Sequence, residues 1–402
     1  MKNDEMRKDL VVVGGGPSGC FLAQRVAQRG FEVLLVEEHP HIGKPVSCAG
    51  VVGVKGMKEV GVKAEKFALN KVRRGLVFSP SGEVLELERG RTEALVLDRE
   101  AFDKHLAELA VEEGVELRLQ TRCVEVRNTK RPTTLLTGKG EGEIKTRMLV
   151  GADGPTSLVA RKSGMMGRRR FIRCVQAEVK TEVEPDTVEV YLGSSSIGLF
   201  GWVVPAGEVA RIGIGTLKGD PGEGLRSLLK FLSPRLRGEP KKLSFGLIPY
   251  DPPRHLVKGS VLLVGDAACQ VKPLTGGGIY LGLSCALKAS EALFHSLERE
   301  DPTFLKLYPK EVKRTFGREL MLGRKLREFM SVLSDEELDA LVKCLNEPKL
   351  REEILKKADF DHHSSLLEVI FSNLPRLLTS LGPRALTRMA LKGMVGLDLR
   401  GI

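Results

Sequence analysis

Two wholly apolar runs, Leu10-Val11-Val12-Val13 and Val261-Leu262-Leu263-Val264, stand out along the chain, each closed by glycine. Hydrophobicity that is continuous rather than alternating predicts a parallel strand buried on both faces. The first run enters Gly14-Gly15-Gly16-Pro17-Ser18-Gly19, a helical pattern from Cys20 to Gln28 closed at Gly30, and a strand from Glu32 to Val36 ended by Glu37. The second enters Gly265-Asp266-Ala267-Ala268, then Pro273, the triplet Gly276-Gly277-Gly278 and a helix from about Ile279 to Glu298.

Between the two runs the pattern predicts strands at Val115 to Leu119, Cys123 to Val126, Thr133 to Leu136 and Ile144 to Val150, the last ending in Gly151-Ala152-Asp153-Gly154-Pro155. Gly75 to Leu87 reads as a hairpin turning at Ser79-Pro80-Ser81-Gly82. Asp98 is placed to cap a helix running to Glu113. From Phe171 to Gly215 the chain turns β-rich, with alternating segments Val175 to Val179, Val188 to Leu192, Leu199 to Val204 and Val209 to Ile214. They predict an antiparallel sheet in a separate lobe, followed by a helix from Gly222 to Leu232. From Asp301 onward the pattern is helical, including Leu338 to Leu345, Leu366 to Phe371 and Ala385 to Met394. The expected fold is α/β: a discontinuous Rossmann-like domain (1–72, 98–165 and 250–300), a β-rich lobe (73–97 and 166–249) and a helical region (301–402).

The stretch Asp9 to Glu37 holds the first candidate chemistry. A lone glycine triplet is ordinarily a turn, but here G-x-G-x-x-G lies between a strand and a helix. Gly14 permits the tight turn, Gly16 lets the backbone approach a pyrophosphate, and Gly19 allows close helix–strand packing. The helix start offers free N–H groups to phosphate, and Glu37 can accept from ribose hydroxyls. The Pro- and Gly-rich loop His39 to Gly50 leaves the carboxyl end of the second strand, where ligands collect. Arg99 in the first turn of its helix opposes the dipole, which hints at an anionic partner.

Composition narrows the class. The 402 residues suffice for two or three domains, and 42% hydrophobic residues can fill real cores, which excludes a disordered chain. Seven cysteines, odd in number and never spaced C-x-x-C, predict reduced thiols in a cytosolic setting, without disulfide framework, zinc site or iron–sulfur cluster. Met1 to Lys8 is short and charged, so no secretory signal is expected ahead of the first strand. Ile279 to Phe294, interrupted by Lys288 and Glu291, is too short and too charged to span a bilayer. The net charge of +11 has no aromatic-interleaved basic motif or zinc-finger spacing beside it, so nucleic acid is not the expected partner. An anionic lipid surface, a phosphorylated substrate or a solvated Lys/Glu-rich surface account for it instead.

Three markers stand in order: the glycine turn with Glu37, Asp153-Gly154, and Gly265-Asp266. Together they resemble the flavoprotein superfamily that includes the aromatic hydroxylases. More closely, the chain resembles the geranylgeranyl reductase family, archaeal digeranylgeranylglycerophospholipid reductases among them. That likeness rests on Pro45-Val46-Ser47-Cys48-Ala49-Gly50, and on Gly265-Asp266-Ala267-Ala268 followed by Lys272-Pro273-Leu274-Thr275-Gly276-Gly277-Gly278-Ile279-Tyr280. It runs from about residue 9 to 300.

The resemblance implies FAD, an aromatic-hydroxylase-like fold and reduction of isolated C=C bonds in polyprenyl chains. It implies that Gly14, Gly16, Pro17, Ser18, Gly19 and Glu37 hold the ADP half of the cofactor. Arg99 and the Cys123-Val124 strand would flank it, and Asp266 would meet its ribityl–phosphate region. Gly277, Gly278 and Ile279 would lie at the isoalloxazine, bordered by Cys48, Ala49 and Val51. The family's substrate motif, P-x-x-Y-x-W-x-F-P, aligns with Ile197 to Pro205; Trp202 and Pro205 remain, Phe200 replaces Tyr, and Ile197 and Val204 depart. Phe200, Trp202, Pro205 and Tyr280 are therefore the expected substrate pocket, and Cys48 the candidate catalytic side chain.

A polyprenyl lipid is the expected substrate, with ferredoxin or NAD(P)H as donor. The expected place is cytoplasmic, peripheral at the inner face of the membrane. Three other readings stand beside this one: a flavin monooxygenase of the same fold, an electron-transfer flavoprotein passing electrons to quinone, and a non-catalytic flavin or lipid carrier. Relatives of the quinone-reducing kind commonly carry a cysteine-ligated cluster, for which this chain has no motif.

Overall fold

The computed structural model describes residues 7–139 and 142–381; the predicted helix Ala385 to Met394 lies outside them. Both apolar runs become central parallel strands. Val261–Leu263, Gly142–Gly151, Arg7–Val13, Val33–Val36 and Glu116–Arg118 lie side by side in that order. The alternation of a strand explains why each run is apolar throughout. Leu10 and Val12 pack under the helices Pro17–Ala27, Arg99–Glu112 and Ile279–Glu298, while Val11 and Val13 enter a second core with Val159, Ile144 and Cys123. The hairpin Thr121–Arg127 and Thr133–Gly138 extends the sheet antiparallel beside Gly142–Gly151.

The β lobe is a seven-stranded sheet in the order Lys241–Pro249, Phe171–Val179, Val209–Thr216, Gly201–Ala206, Thr187–Tyr191, Arg74–Phe78 and Val84–Glu88. Every pair is antiparallel except Thr187–Tyr191 with Arg74–Phe78, where the hairpin arrives from the other domain. A three-stranded sheet of Val51–Gly53, Ala94–Leu97 and Ala68–Val72, absent from the sequence reading, forms the seam. The expected boundary at 97 assigns Ala94–Leu97 to the lobe; its strand partners come from residues 51–72, and Val72, Ala94 and Val96 pack against Val204 and Ala206 of the lobe.

The helices Leu307–Met330, Asp335–Leu345, Pro348–Lys357, Ser364–Ser372 and Leu374–Leu381 enclose a separate core that includes Leu326, Leu341 and Leu367. Among the described residues no helix is long and apolar enough to cross a membrane.

A short strap, residues 358–363, ties this helical region to the cofactor domain. Asp359 pairs with Lys55 at 2.7 Å, Asp361 accepts from the Gly56 amide at 2.6 Å, and Lys272 donates to the Phe360 carbonyl at 2.7 Å. His363 is buried within it, and burial together with the nearby Lys272 charge pushes its pKa down to about 3. The unfolded chain therefore takes up a proton on this imidazole that the native state refuses. Its contribution is complete above about pH 6.5 and is lost as pH falls towards 3. Urea titrations should show a loss of about 2 kcal/mol between pH 7 and 5 that His363→Gln largely removes; an unchanged slope in the variant would refute this source.

Candidate active site

Gly14 sits at φ +109°, and a Cβ there would lie 2.3 Å from the Ala152 carbonyl oxygen. A Cβ on Gly19 would lie 2.1 Å from the Gly14 carbonyl. These two glycines are required by the protein itself, because helix and strands meet backbone to backbone. Gly16 differs: at φ −75° it is conformationally ordinary, and a Cβ would meet nothing within 4 Å. Space is left where the helix Pro17–Ala27 begins without a side-chain cap, which is how a helix start that receives phosphate is built. Ser18 reaches across to Gly265 and Gly282 and fixes where the two helix starts approach one another.

Glu37 accepts from the Gly15 amide at 2.8 Å and from the His39 amide at 3.0 Å. A carboxylate offers about four acceptor sites, so capacity remains for ribose hydroxyls. Cys123 and Val124 lie in the strand Thr121–Arg127, whose first amide bonds the Glu37 carbonyl at 2.9 Å, placing this strand's start beside the acid. Asp153 is committed to its own helix: it accepts from Ser157 at 2.6 Å and from the Leu158 and Val159 amides at 2.7 and 3.0 Å.

From the glycine turn a groove of about 300 Å³ runs along Glu37, Ile42, Pro45, Cys48 and Arg99. Arg99 is not left as an unpaired cation. It forms two hydrogen bonds, 3.0 and 2.9 Å, with Asp103 one turn on, which explains its tolerance at a helix start. Burial works against its charge, but Asp103 and the adjacent Cys48 thiol outweigh that and hold its pKa above the ordinary value. The Cys48 loop is pinned to the lobe as well. Gln176 donates to the Cys48 carbonyl at 3.3 Å, and Arg211 to the carbonyls of Ala49 and Leu97 at 2.9 and 3.1 Å. Ala49 and Val51 pack into the seam.

Asp266 opens the turn Gly265–Ala268. Burial, opposed by Arg99 and Arg169, pushes its pKa up to about 6. Arg169 donates to the carbonyls of Asp266 and Ala267 at 2.9 and 3.0 Å rather than to the carboxylate, whose oxygen Oδ1 lies 3.1 Å from where a Gly278 Cβ would stand. Gly278 starts the helix Ile279–Glu298, again without a side-chain cap. The loop before it is closed by Lys272 N–H to the Gly277 carbonyl and Gly276 N–H to the Lys272 carbonyl.

Phe200 and Trp202 meet edge to face at 6.4 Å and pack with Ile172, Leu199, Leu217 and Ile248 into an apolar wall. The wall reaches the glycine loop, since a Gly276 Cβ would lie 2.7 Å from Ile248 Cδ1. The other two expected pocket residues lie elsewhere. Pro205 is an odd number of positions along the strand from Trp202 and so points to the opposite face of the sheet, shared with Val203 under the helix Pro221–Phe231. Tyr280 is buried, with its hydroxyl donating to Glu59 at 2.7 Å and lying 3.2 Å from His362. Sequence reasoning missed Arg211 and Gln176, which lie in strands with no motif, and it reads Arg169, within the basic cluster Arg168-Arg169-Arg170, as part of a solvated loop, whereas Arg169 is tied to the Asp266 turn. An arginine inside an alternating strand pattern (Val209 to Ile214) was the one available signal.

Set beside known proteins, residues 7–216 match the FAD binding domain family. The chain is 35% identical to digeranylgeranylglycerophospholipid reductase 2 of Methanothermobacter thermautotrophicus, over 85% of this chain and 92% of that protein. It is 32% identical to the digeranylgeranylglycerophospholipid reductase of Methanocaldococcus jannaschii, over 84% and 90%. The solved structure of a geranylgeranyl bacteriochlorophyll reductase-like protein from Thermoplasma acidophilum superposes with a TM-score of 0.84 at 27% identity, covering 94% of this chain and 98% of that one. Fold and site thus define an FAD-dependent oxidoreductase. Within that class the chain belongs to the digeranylgeranylglycerophospholipid reductase family. The residues fit FAD on structural grounds: an open Gly16, two uncapped helix starts, and in Asp266 a carboxylate for which no donor is found among the described residues.

Proposed function

We propose that this protein saturates isolated C=C bonds in geranylgeranyl chains carried by lipids or diphosphates. The observation that supports this best is the continuity of the Phe200–Trp202 apolar wall with the Gly276–Gly278 loop on one side and, through Gln176, with Cys48 on the other. Reduced FAD supplies a hydride. The chain's own residues do the rest. Gly14, Gly16, Ser18, Gly19, Glu37 and Asp266 bind; the glycine loop clears room for a flat ring beside the alkene; Leu199, Phe200 and Trp202 exclude water.

An adjoining cavity, lined by Leu199, Phe200, Leu274, Met330, Leu333 and Leu338, encloses about 50 Å³. Entry of a long chain requires those side chains to part. Cys48 Sγ, against Arg99, is the group we assign to carry a proton to the second alkene carbon. Cys48→Ala should retain its flavin and lose about a hundredfold in turnover, the usual worth of a placed acid; undiminished turnover would remove Cys48 from the chemistry. The donor is a reduced ferredoxin or NAD(P)H, and the net positive surface suits a peripheral place on an anionic membrane. Anaerobic reduction with dithionite, followed by addition of geranylgeranyl lipid, should yield products heavier by two hydrogens per bond. Intact lipid after full reduction, or product formed only with oxygen, would overturn the assignment.

A further inference from the structure

Arg327 is 4% exposed and has no ion-pair partner among the described residues. It projects from the long helix Leu307–Met330, and its Nε and Nη2 are shielded from solvent with no acceptor among the described residues. Burial pulls its pKa down to about 10, and the titratable groups that act on its charge are Tyr250, Cys269 and Cys174, none of them a carboxylate. Arg324, one turn earlier and so on the same helix face, lines the cleft formed by Tyr250, Cys269, Val271 and Pro273 together with Arg327. It too forms no ion pair among the described residues.

Removing a guanidinium from water without a counter-charge is costly, and such a group is retained where an anion completes it. Stacking does not supply that completion. The Tyr250 ring lies 5.8 Å from Arg327 but is already faced by Arg170 at 4.5 Å, and a ring face fills none of the N–H donors. Arg327 also lines the apolar cavity that holds Leu199, Phe200 and Met330. One side chain thus joins a greasy slot to a positive cleft, whose roughly 10 Å³ must widen by side-chain movement before a phosphoryl group enters. The fork of a guanidinium matches phosphoryl oxygens in pairs, which a lysine would not do.

We propose that Arg327, assisted by Arg324, binds a phosphoryl group carried by the substrate, so that the enzyme reads the charged end of a prenyl compound as well as its chain. The inference rests on the prenyl-reductase reading and adds to it the residues that receive the substrate's charged end. It is tested on FAD-loaded protein with two substrates that differ only at that end, geranylgeranyl diphosphate and geranylgeraniol. The parent should show a lower KM for the diphosphate. In Arg327→Met that preference should shrink by about tenfold or more, the worth of a charged hydrogen-bonding pair, with Arg327→Lys between them. Inorganic pyrophosphate should raise the Tm of the parent holoenzyme and leave that of Arg327→Met unmoved.

An unchanged KM ratio in Arg327→Met would overturn the proposal. So would loss of flavin from that variant, since the anion would then be the cofactor's own. A fall in Tm without any change in ratio would make Arg327 structural. If the parent reduces neither prenyl compound, the prenyl-reductase reading fails, and the pyrophosphate shift alone decides whether Arg327 holds a phosphoryl group.

Discussion

A Gly16→Val variant is expected to fold normally and to purify without flavin colour. The backbone at Gly16 has angles any residue adopts, and among the described residues nothing beyond its chain neighbours lies within 4 Å of where its Cβ would stand. Apo-protein stability should therefore stay within about 0.5 kcal/mol of the parent, as for substitutions that touch nothing. The new side chain does occupy the approach to the helix start, where pyrophosphate oxygens would meet free amides. Losing two such charge-assisted bonds weakens FAD binding by about a hundredfold or more. Gly14→Ala provides the contrast. At φ +109° and 2.3 Å from the Ala152 oxygen, it should lose fold and flavin together. Equilibrium flavin titration and denaturant unfolding of the two variants separate the cases; a Gly16→Val protein that comes off the column yellow would show that the cofactor does not approach there.

The second large effect is expected at the strap. Asp361 is buried against Gly53 and Gly56, and a side chain on either glycine would collide with its carboxylate at 2.0 and 2.7 Å. That carboxylate accepts from the Gly56 amide and faces Lys272 Nζ at 3.3 Å, with both side chains almost fully enclosed. Asp361→Ala leaves a buried ammonium whose one remaining hydrogen-bond acceptor among the described residues is the Phe360 carbonyl, beside the Tyr280 and Phe360 rings, and orphans an amide. Breaking one half of a buried pair costs about 3–5 kcal/mol. Lys272 also begins the loop that ends at Gly278, so flavin affinity should fall with stability. Removing the partner charge as well, in Lys272→Met with Asp361→Ala, should restore part of the lost stability, because the desolvated charge is gone. Urea denaturation of the single and double variants tests this, and a single variant as stable as the parent would refute it.

The cofactor half of the molecule could be read from the chain because its elements obey two periodicities at once. Val11 and Val13 must be apolar on one face and Leu10 and Val12 on the other, and the glycines between strand and helix answer to backbone contacts that no other residue allows. The strand Lys241–Pro249 could not be read, since its pattern is inverted. Leu243, Phe245 and Leu247 face solvent, while Ser244 and Gly246 point inward, where a Gly246 Cβ would already be 3.2 Å from the Ser47 carbonyl. Contact with a distant loop dictated small residues where a core was expected. Tyr280 was misplaced for a similar reason. Its position follows a family motif, but its hydroxyl is claimed by Glu59 and lies beside His362, which a linear reading cannot bring together. Pro205 was carried by a different motif, the one aligned with Ile197 to Pro205, and its strand parity turns it to the face opposite Trp202. Arg327 carries no motif at all. Its significance lies in what it fails to touch.

The interleaved order of the parallel sheet also governs how the protein can be made. Val261–Leu263 completes the sheet beside Gly142–Gly151, and the helix Ile279–Glu298 roofs the glycine turn from the far end of the chain. During translation, then, the first 216 residues, the whole of the recognised domain family, emerge without a finished nucleotide cradle. Flavin capture must wait until roughly three-quarters of the polypeptide has left the ribosome, and a fragment cut before residue 261 should remain colourless however much FAD is supplied.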